Sequence, residues 1–508
     1  MIVIIVGLIL AFLAIFYKNE LFWYLNSQKY MKQGIATRYY PVTGYMKFAS
    51  SPGREDGDGL FNWRKIFQKK SDPNKTEPLI LTNGVGSSPL LLINDEKLAK
   101  EWFIKREKFS LPVNLQNFPF QESFHYKETK VALSQRAIMT KLFLVDNLRK
   151  SSPALIQVLK RQLNDVKRKV LEKSKNGEFV EISLEQHFKQ ITAETIGYTL
   201  FGGETPTFEG QPINVPLGKV NTGTFFYMMT NFWHKVTGGL STKLGFSKEY
   251  NEIDRIHQGC KKVLKKLVND RTHSKDYQLG LNLVDIIIEH NKKVHAEGHP
   301  EKALSTEEII DNIKVFIFAA AEASNAFYDT CVYLLGQYQD YQKELREEVR
   351  KAIFNGEATF DDYMESEYLD NFVTECFRVH GPVLSTFYEE VFKNFKLGDY
   401  KVYKGTGVLV SVYSMQKKPE YFENPIKFDL KKYENKRRIK ELKRGLMVPF
   451  GGGNRFCIGQ NLAKFSIKIA IANIVNMFEI KESSRINPRL AGVTCTVGHS
   501  SVKLRVLS

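Results

Sequence analysis

The sequence is poor in cysteine. Five occur in 508 residues, Cys260, Cys331, Cys376, Cys457 and Cys495, odd in number and far apart. That excludes a disulfide framework and fits a reducing compartment. It also excludes a zinc site at Cys457, because no second Cys or His lies within ligand spacing. Phosphate-binding loops are missing too. Gly459 is followed by Gln460 rather than Lys-Ser/Thr, and Phe456 stands where a dinucleotide fingerprint starting at Gly451 would need its third glycine. The net charge is +17, yet no zinc finger, aromatic RNA-binding motif or basic heptad region accompanies it. Nucleic acid is therefore not the expected partner. The charge suits an acidic protein or an anionic membrane surface.

What is present is apolar material in quantity. Hydrophobic residues make up 43% and phenylalanine alone numbers 36, ample for a large core. Ile2 to Tyr17 is unbroken by charge over 16 residues. As a helix it would span about 24 Å, slightly short of the roughly 30 Å hydrocarbon core. Lys18 can snorkel, and Phe22, Trp23 and Tyr24 extend the span into the interface. Lys18, Lys29, Lys32 and Arg38 follow the run, which puts the bulk of the chain on the cytoplasmic side. A cleaved signal peptide is the competing reading. No charged leading region and no small-x-small cleavage site support it. Asn74-Lys75-Thr76 is a glycosylation sequon that should stay unmodified in this topology.

Along the chain, Leu79–Thr82 and Leu90–Ile93 read as two strands joined by a Gly/Ser turn, and Asp95 caps a helix to about Lys105. Residues 108–124 form an aromatic, proline-bearing loop. Residues 150–300 read as long amphipathic helices, with an apolar cluster at Phe225 to Met229 that suits a pocket roof, a membrane contact or core. Ser305-x-x-Glu308 is a capping box opening a helix that runs to Leu335. Its middle, Phe318 to Ser324, is rich in alanine, so a flat cofactor or substrate can approach the backbone. Asp340–Ala352 and Tyr368–His380 are further helices. Glu375 and Arg378 lie on one face of the second and can pair. Lys396 to Val412 reads as a hairpin. Lys431 to Arg444 carries eight basic residues against Glu434 and Glu441, an excess of six.

The stretch that organises the rest is Phe450-Gly451-Gly452-Gly453-Asn454-Arg455-Phe456-Cys457-Ile458-Gly459. Its glycines allow a tight path. A helix, Gln460 to Met477, starts directly after it. The free N–H groups and dipole of that helix are expected to lower the pKa of the Cys457 thiol and favour the thiolate, an axial ligand for a haem iron. The bland alternative is a buried structural cysteine beside a glycine turn.

Phe-Gly-x-Gly-x-Arg-x-Cys-x-Gly resembles the haem-binding loop of the cytochromes P-450, and the resemblance extends from about residue 40 to 508. It implies a mainly α fold with a small β portion. In that family Cys457 would ligate the iron of haem b and Arg455 would hold a propionate. Phe450 and Gly451 would shape the loop beside the sulfur, and Gly459 would let the next helix pass close to the ring. Tyr126 and Lys130 would stand where a Trp and an Arg bind a propionate. Glu375 and Arg378 would form the buried pair that locks the haem loop, with Lys432 as its third member in place of Arg. Where a propionate-binding arginine usually follows the segment after Pro382, this chain has Tyr388-Glu389-Glu390. On the long helix Glu322 is the family's acid. Ala323 replaces the threonine whose hydroxyl orders proton delivery, and Ser324 offers a hydroxyl one residue later, rotated about 100°.

The expectation is one catalytic domain at 46–508, a linker at 26–45 and an N-terminal membrane anchor at 1–25. The protein would be a monomer in the endoplasmic reticulum membrane, single-pass, with its catalytic domain cytoplasmic. By resemblance it is a haem-thiolate monooxygenase. It would use O2 and electrons from an NADPH-dependent flavoprotein reductase, with cytochrome b5 as a second donor, on a lipophilic substrate. The basic stretch 431–444 would receive the acidic donor, unless it is merely a solvated loop. The alternative, supported by Ala323 alone, is an isomerase or dehydratase acting on a lipid hydroperoxide without a reductase.

Overall fold

A computed structural model describes the chain except residues 1–20, 22, 41–65, 70, 73–74, 84–88, 113–121, 126, 176, 204, 221–223, 225–246, 275–281, 355–357, 435–439, 441–444, 483–488, 492–493, 497, 499–500 and 508. The apolar run 2–17, the sequon asparagine, Tyr126 and the cluster 225–229 lie outside the described residues, as does most of the basic stretch. Among the described residues no helix is long and apolar enough to cross a membrane.

Strand β1 (Ala36–Arg38) runs parallel to β2 (Leu79–Asn83), which pairs antiparallel with β3 (Pro89–Ile93). All five residues of β2 and of β3 are buried. Alternate side chains explain why both strands are apolar throughout. Ile80, Leu90 and Leu92 join the main core, while Leu79, Leu81, Leu91 and Ile93 join a second, smaller one. Asp95 then accepts hydrogen bonds from the N–H groups of Lys97 (2.9 Å) and Leu98 (3.0 Å), opening α1 (Glu96–Phe109) as expected.

Strand β4 (Ser110–Pro112) follows, then a succession of helices: α2 (Thr129–Thr140), α3 (Val145–Lys173), α4 (Glu185–Phe201), α5 (Lys248–His273), α6 (Leu283–Ala296), α7 (Thr306–Gln337), α8 (Gln339–Ala352) and α9 (Glu367–His380). Strands β5 (Glu389–Val391) and β6 (Gly407–Val410) return to the first sheet, whose order is β1-β2-β3-β6-β5-β4. The expected hairpin is therefore shorter than its sequence window. Only Phe395–Leu397 and Tyr400–Val402 pair with each other, and Gly407–Val410 lies parallel to β3 instead. The final helix, α10 (Gln460–Met477), has the boundaries its apolar spacing predicts and runs into β7 (Phe478–Glu482), antiparallel to β8 (Val502–Val506).

Part of the stretch read as a linker is docked. Tyr30 is buried, and its hydroxyl lies 2.6 Å from that of Thr406 and accepts the Tyr403 N–H at 3.0 Å. A few residues on, β1 enters the sheet. Polar composition without periodicity did not announce this, because three residues suffice for a strand once a neighbour supplies the ladder.

Helix α7 is the long central element. The Ser305–Glu308 capping box forms in both directions. Residues 309–317 and, apart from Asp329, 326–336 are buried, but 318–325 between them are not, and Ala319 is exposed. The helix continues through this stretch without a break. This partly buried stretch of small side chains, flanked by core on both sides, leaves α7 less closely packed here than on either side.

Candidate active site

The cysteine loop is shaped by its glycines. Gly451 and Gly453 adopt φ of +74° and +65°, which side-chain-bearing residues disfavour. Gly453 also lies so close to α1 that an added Cβ would sit 2.3 Å from the Phe103 carbonyl oxygen. The Phe450 carbonyl accepts the Cys457 N–H at 2.8 Å, closing the loop immediately before α10.

Two aromatic bridges join this loop to α7. The Phe450 ring packs edge-on against Phe377 of α9 (5.1 Å), which stacks on Phe327 of α7 (3.8 Å). On the other side Phe143 is the nearest side chain to Gly459 and stacks on Phe316 of α7 (5.5 Å). Phe316 and Phe327 bracket the segment that loses its burial. Residues 318–325, among them Glu322, Ala323 and Ser324, therefore lie on the stretch of α7 between the two bridges that lead to the cysteine loop.

Cys457 is the one exposed cysteine of the five, yet the protein surrounding it raises its thiol pKa. Both hold if its accessible surface opens inward. This corrects the expected lowered pKa. The Gly459 N–H and the Arg136 charge do favour the thiolate, but desolvation outweighs them.

The cation facing the loop from α2 is Arg136, not Lys130. Lys130 is exposed in the first turn of the helix. Arg136 is buried, donates to the Phe456 carbonyl at 2.7 Å, and lays its guanidinium 4.8 Å from the Phe456 ring centroid. It falls on the buried face with Ala132, Met139 and Phe143, at i, i+4, i+7 and i+11 relative to Ala132. A basic residue inside an apolar stripe is the sequence signal that marks it. Two more groups escaped sequence reasoning. Arg106 at the end of α1 donates to Glu389 (3.1 Å) and to the Gly452 carbonyl (2.9 Å). His125 packs edge-on against Phe387 (4.7 Å), and burial together with Arg455 and Arg106 pushes its pKa down to about 4. Its position is set by the preceding backbone, where Asp311 and Asn312 of α7 accept the N–H groups of Glu122 (2.8 Å) and Phe124 (2.9 Å).

Glu375 and Arg378 meet as the sequence predicts. Both are fully buried and joined by two hydrogen bonds of 2.7 Å. The carboxylate also accepts the Tyr433 hydroxyl (3.0 Å) and the Asp429 N–H (3.0 Å). Arg378 further donates to the carbonyls of Pro425, Gln416 and Lys427. Lys432 is a third member only at 3.8 Å from Glu375, and it gives its hydrogen bond to the Lys427 carbonyl (3.1 Å).

A sulfur opening inward, a wall of small side chains opposite it and converging guanidiniums at one edge define a site for a flat anionic cofactor with a metal centre. The chain belongs to the cytochrome P450 family, whose sequence model matches residues 60–504. It is thus a haem-thiolate oxidoreductase of the monooxygenase class. It is similar to cytochrome P450 3A16 of Mus musculus (26% identity over 421 residues, 78% of each chain) and to cytochrome P450 3A9 of Rattus norvegicus (25% over 403 residues, 78% of each). A shorter match to cytochrome P450 3A31 of Mesocricetus auratus reaches 33% over 183 residues, 35% of this chain and 36% of the relative. These relatives favour oxygen insertion over rearrangement of a lipid hydroperoxide. The residues around Cys457 fit haem. Burial depresses the proton affinity of Arg136, and the Arg106 and Arg455 charges add to this while Cys457 opposes it. Arginines gathered against the cysteine loop suit a group that brings carboxylates of its own.

Proposed function

We propose that this protein is a membrane-tethered monooxygenase acting on lipophilic substrates, with electrons from an NADPH-dependent flavoprotein reductase. The observation that carries this reading is the unburied segment 318–325 of α7, held across from Cys457 by the two aromatic bridges. Haem, when bound, supplies the activation of O2. Cys457 is the thiolate ligand, and Arg455 and Arg136 hold the carboxylate edge. Gly459 has no protein neighbour closer than 3.9 Å to an added Cβ, so its lack of a side chain serves the cofactor rather than the packing. Phe124, Phe316 and Phe387, with Ala319 and Ala320, offer the substrate an apolar surface and keep water out. Glu322 and Ser324 are the groups on α7 that can pass protons, in place of the threonine that Ala323 lacks.

The N-terminal run at 1–25 anchors the chain in the endoplasmic reticulum membrane, with residues 46–508 as the cytoplasmic catalytic domain. The basic residues from Lys431 to Arg444 receive the reductase, with cytochrome b5 as a second donor. Purified protein reconstituted with reductase, NADPH and a panel of lipids, sterols and xenobiotics tests the whole reading. NADPH-dependent oxygenated products are expected. Turnover of a hydroperoxide with none from NADPH would overturn it. Cys457→Ser should abolish both the product and the thiolate-type spectrum of the reduced CO complex.

A further inference from the structure

Helix α7 buries a lysine one turn before its stretch of small side chains. Lys314 lies amid Ile310, Ile313 and Ile317, with 1% of its side chain exposed. Its ammonium stands 2.6 Å from the carboxylate of Asp311, itself largely buried, and donates to Nε2 of His257 on α5 at 3.0 Å. Burial lowers the proton affinity of Lys314, and Asp311 opposes this. An ion pair in such a place is a weak way to stabilise helix packing, because apolar residues of similar volume do as well. The carboxylate has a second contact. Its other oxygen accepts the Glu122 N–H at 2.8 Å, and the neighbouring Asn312 accepts the Phe124 N–H at 2.9 Å. Adjacent residues of α7 thus clamp the backbone on both sides of Ser123. The Phe124 ring stands 5.9 Å from Phe316, which stacks on Phe143 beside Gly459.

We propose that Lys314 is a positioning residue for the substrate wall. It keeps Asp311 as a charged acceptor, and through that carboxylate it fixes the 122–124 backbone and sets the Phe124 ring over the site. The inference rests on the reading of Phe124 and Phe316 as an apolar surface beside a haem held by Cys457. Without the ammonium, the carboxylate is uncompensated in low dielectric, turns toward water and releases the Glu122 N–H. The competing explanation is a tie between α5 and α7 that contributes to stability alone, a role that Lys261 and Glu307 already fill at 2.6 Å.

Imidazole and 4-phenylimidazole separate the two explanations. Both ligate a haem iron, and only the second carries a ring to lay against Phe124. The ratio of their dissociation constants, read from the Soret shift of the holoprotein, is the phenyl preference. Phe124→Ala should lower that preference. Lys314→Met should lower it about fivefold, roughly the net worth of one hydrogen bond, with imidazole affinity unchanged. Lys314→Met combined with Asp311→Asn keeps an acceptor for the Glu122 N–H and strands no charge, so it should restore the preference. Lys314→Met combined with Asp311→Ala strands no charge either but lacks the acceptor, and should stay low. A Lys314→Met protein with the wild-type preference, or two double variants with equal preference, would overturn the proposal. If Lys314→Met takes up no haem, the two double variants decide alone. An unchanged preference in Phe124→Ala would overturn the reading of that ring as part of the wall, and the role of Lys314 with it. Wild-type protein without an azole shift would remove the haem assignment itself.

Discussion

Two buried charge clusters of this protein are built to different ends. Around Glu375 and Arg378 every charge is met by protein. The carboxylate takes four hydrogen bonds, two from Arg378 and one each from Tyr433 and the Asp429 N–H, and the guanidinium spends its remaining donors on backbone carbonyls. Around Cys457 the guanidiniums are held by the loop itself and the cluster opens on an exposed sulfur: Arg106 and Arg136 donate to the Gly452 and Phe456 carbonyls, and Arg106 also pairs with Glu389. A closed cluster fixes a fold, since breaking one partner strands the other in low dielectric. An open one is completed by a ligand. The contrast separates scaffold from site more sharply than burial does, because Arg378 and Arg106 are both buried.

The largest effect should come from the closed cluster. Glu375→Gln strands the Arg378 charge and should cost on the order of 3–5 kcal/mol, read as a lowered denaturation midpoint and loss of bound haem together. A variant that kept its stability would break the comparison. Arg136→Gln should act on the open cluster instead. About 1.5–3 kcal/mol of cofactor affinity is at stake for a charged hydrogen-bond donor, read from haem retention, with a much smaller change in the unfolding of the apoprotein.

Lys432→Met should matter least among the charged partners. At 3.8 Å, and hydrogen-bonded elsewhere, Lys432 should contribute less than about 1 kcal/mol. A loss as large as that of Glu375→Gln would mean that Lys432 completes the triad after all.

The smallest effect is a pH slope. Burial, with Lys417 and Arg378 nearby, holds the His380 imidazole well below its usual pKa of 6.5. The unfolded chain takes up its proton as pH falls through about 6.5, and the folded one does not. Stability from this group is therefore full above that pH and declines in acid. His380→Gln should flatten the decline between pH 7 and 5, read from denaturation midpoints.

Much of the scaffold was legible along the chain because its signals are local. The Ser305–Glu308 box, the Asp95 cap, the α10 boundaries and the Glu375–Arg378 spacing depend on residues three or four apart, the separation at which helix side chains meet. The cysteine loop was legible for the same reason, as one contiguous path of ten residues. Arg106 and Arg136 were not. Each reaches Gly452 or Phe456 across more than 300 residues, and a lone arginine in a charged helix looks like a solvated one. Lys130, expected from its spacing to Tyr126, is exposed, whereas Arg136 lies on the buried face of α2, because the face a helix buries is chosen by what packs on it.

The cysteine loop, the mid-helix alanines and the closed ion pair were thus determined by sequence alone, since each is a short-range pattern with few physical realisations. Three things were left to the tertiary structure. Desolvation overrode the helix terminus at Cys457, the central sheet took Gly407–Val410 from its hairpin, and guanidiniums from α1 and α2 were gathered against the cysteine loop. All three depend on what the fold places beside a residue. Solvation and charge are properties of a neighbourhood, and the linear chain does not state its neighbours.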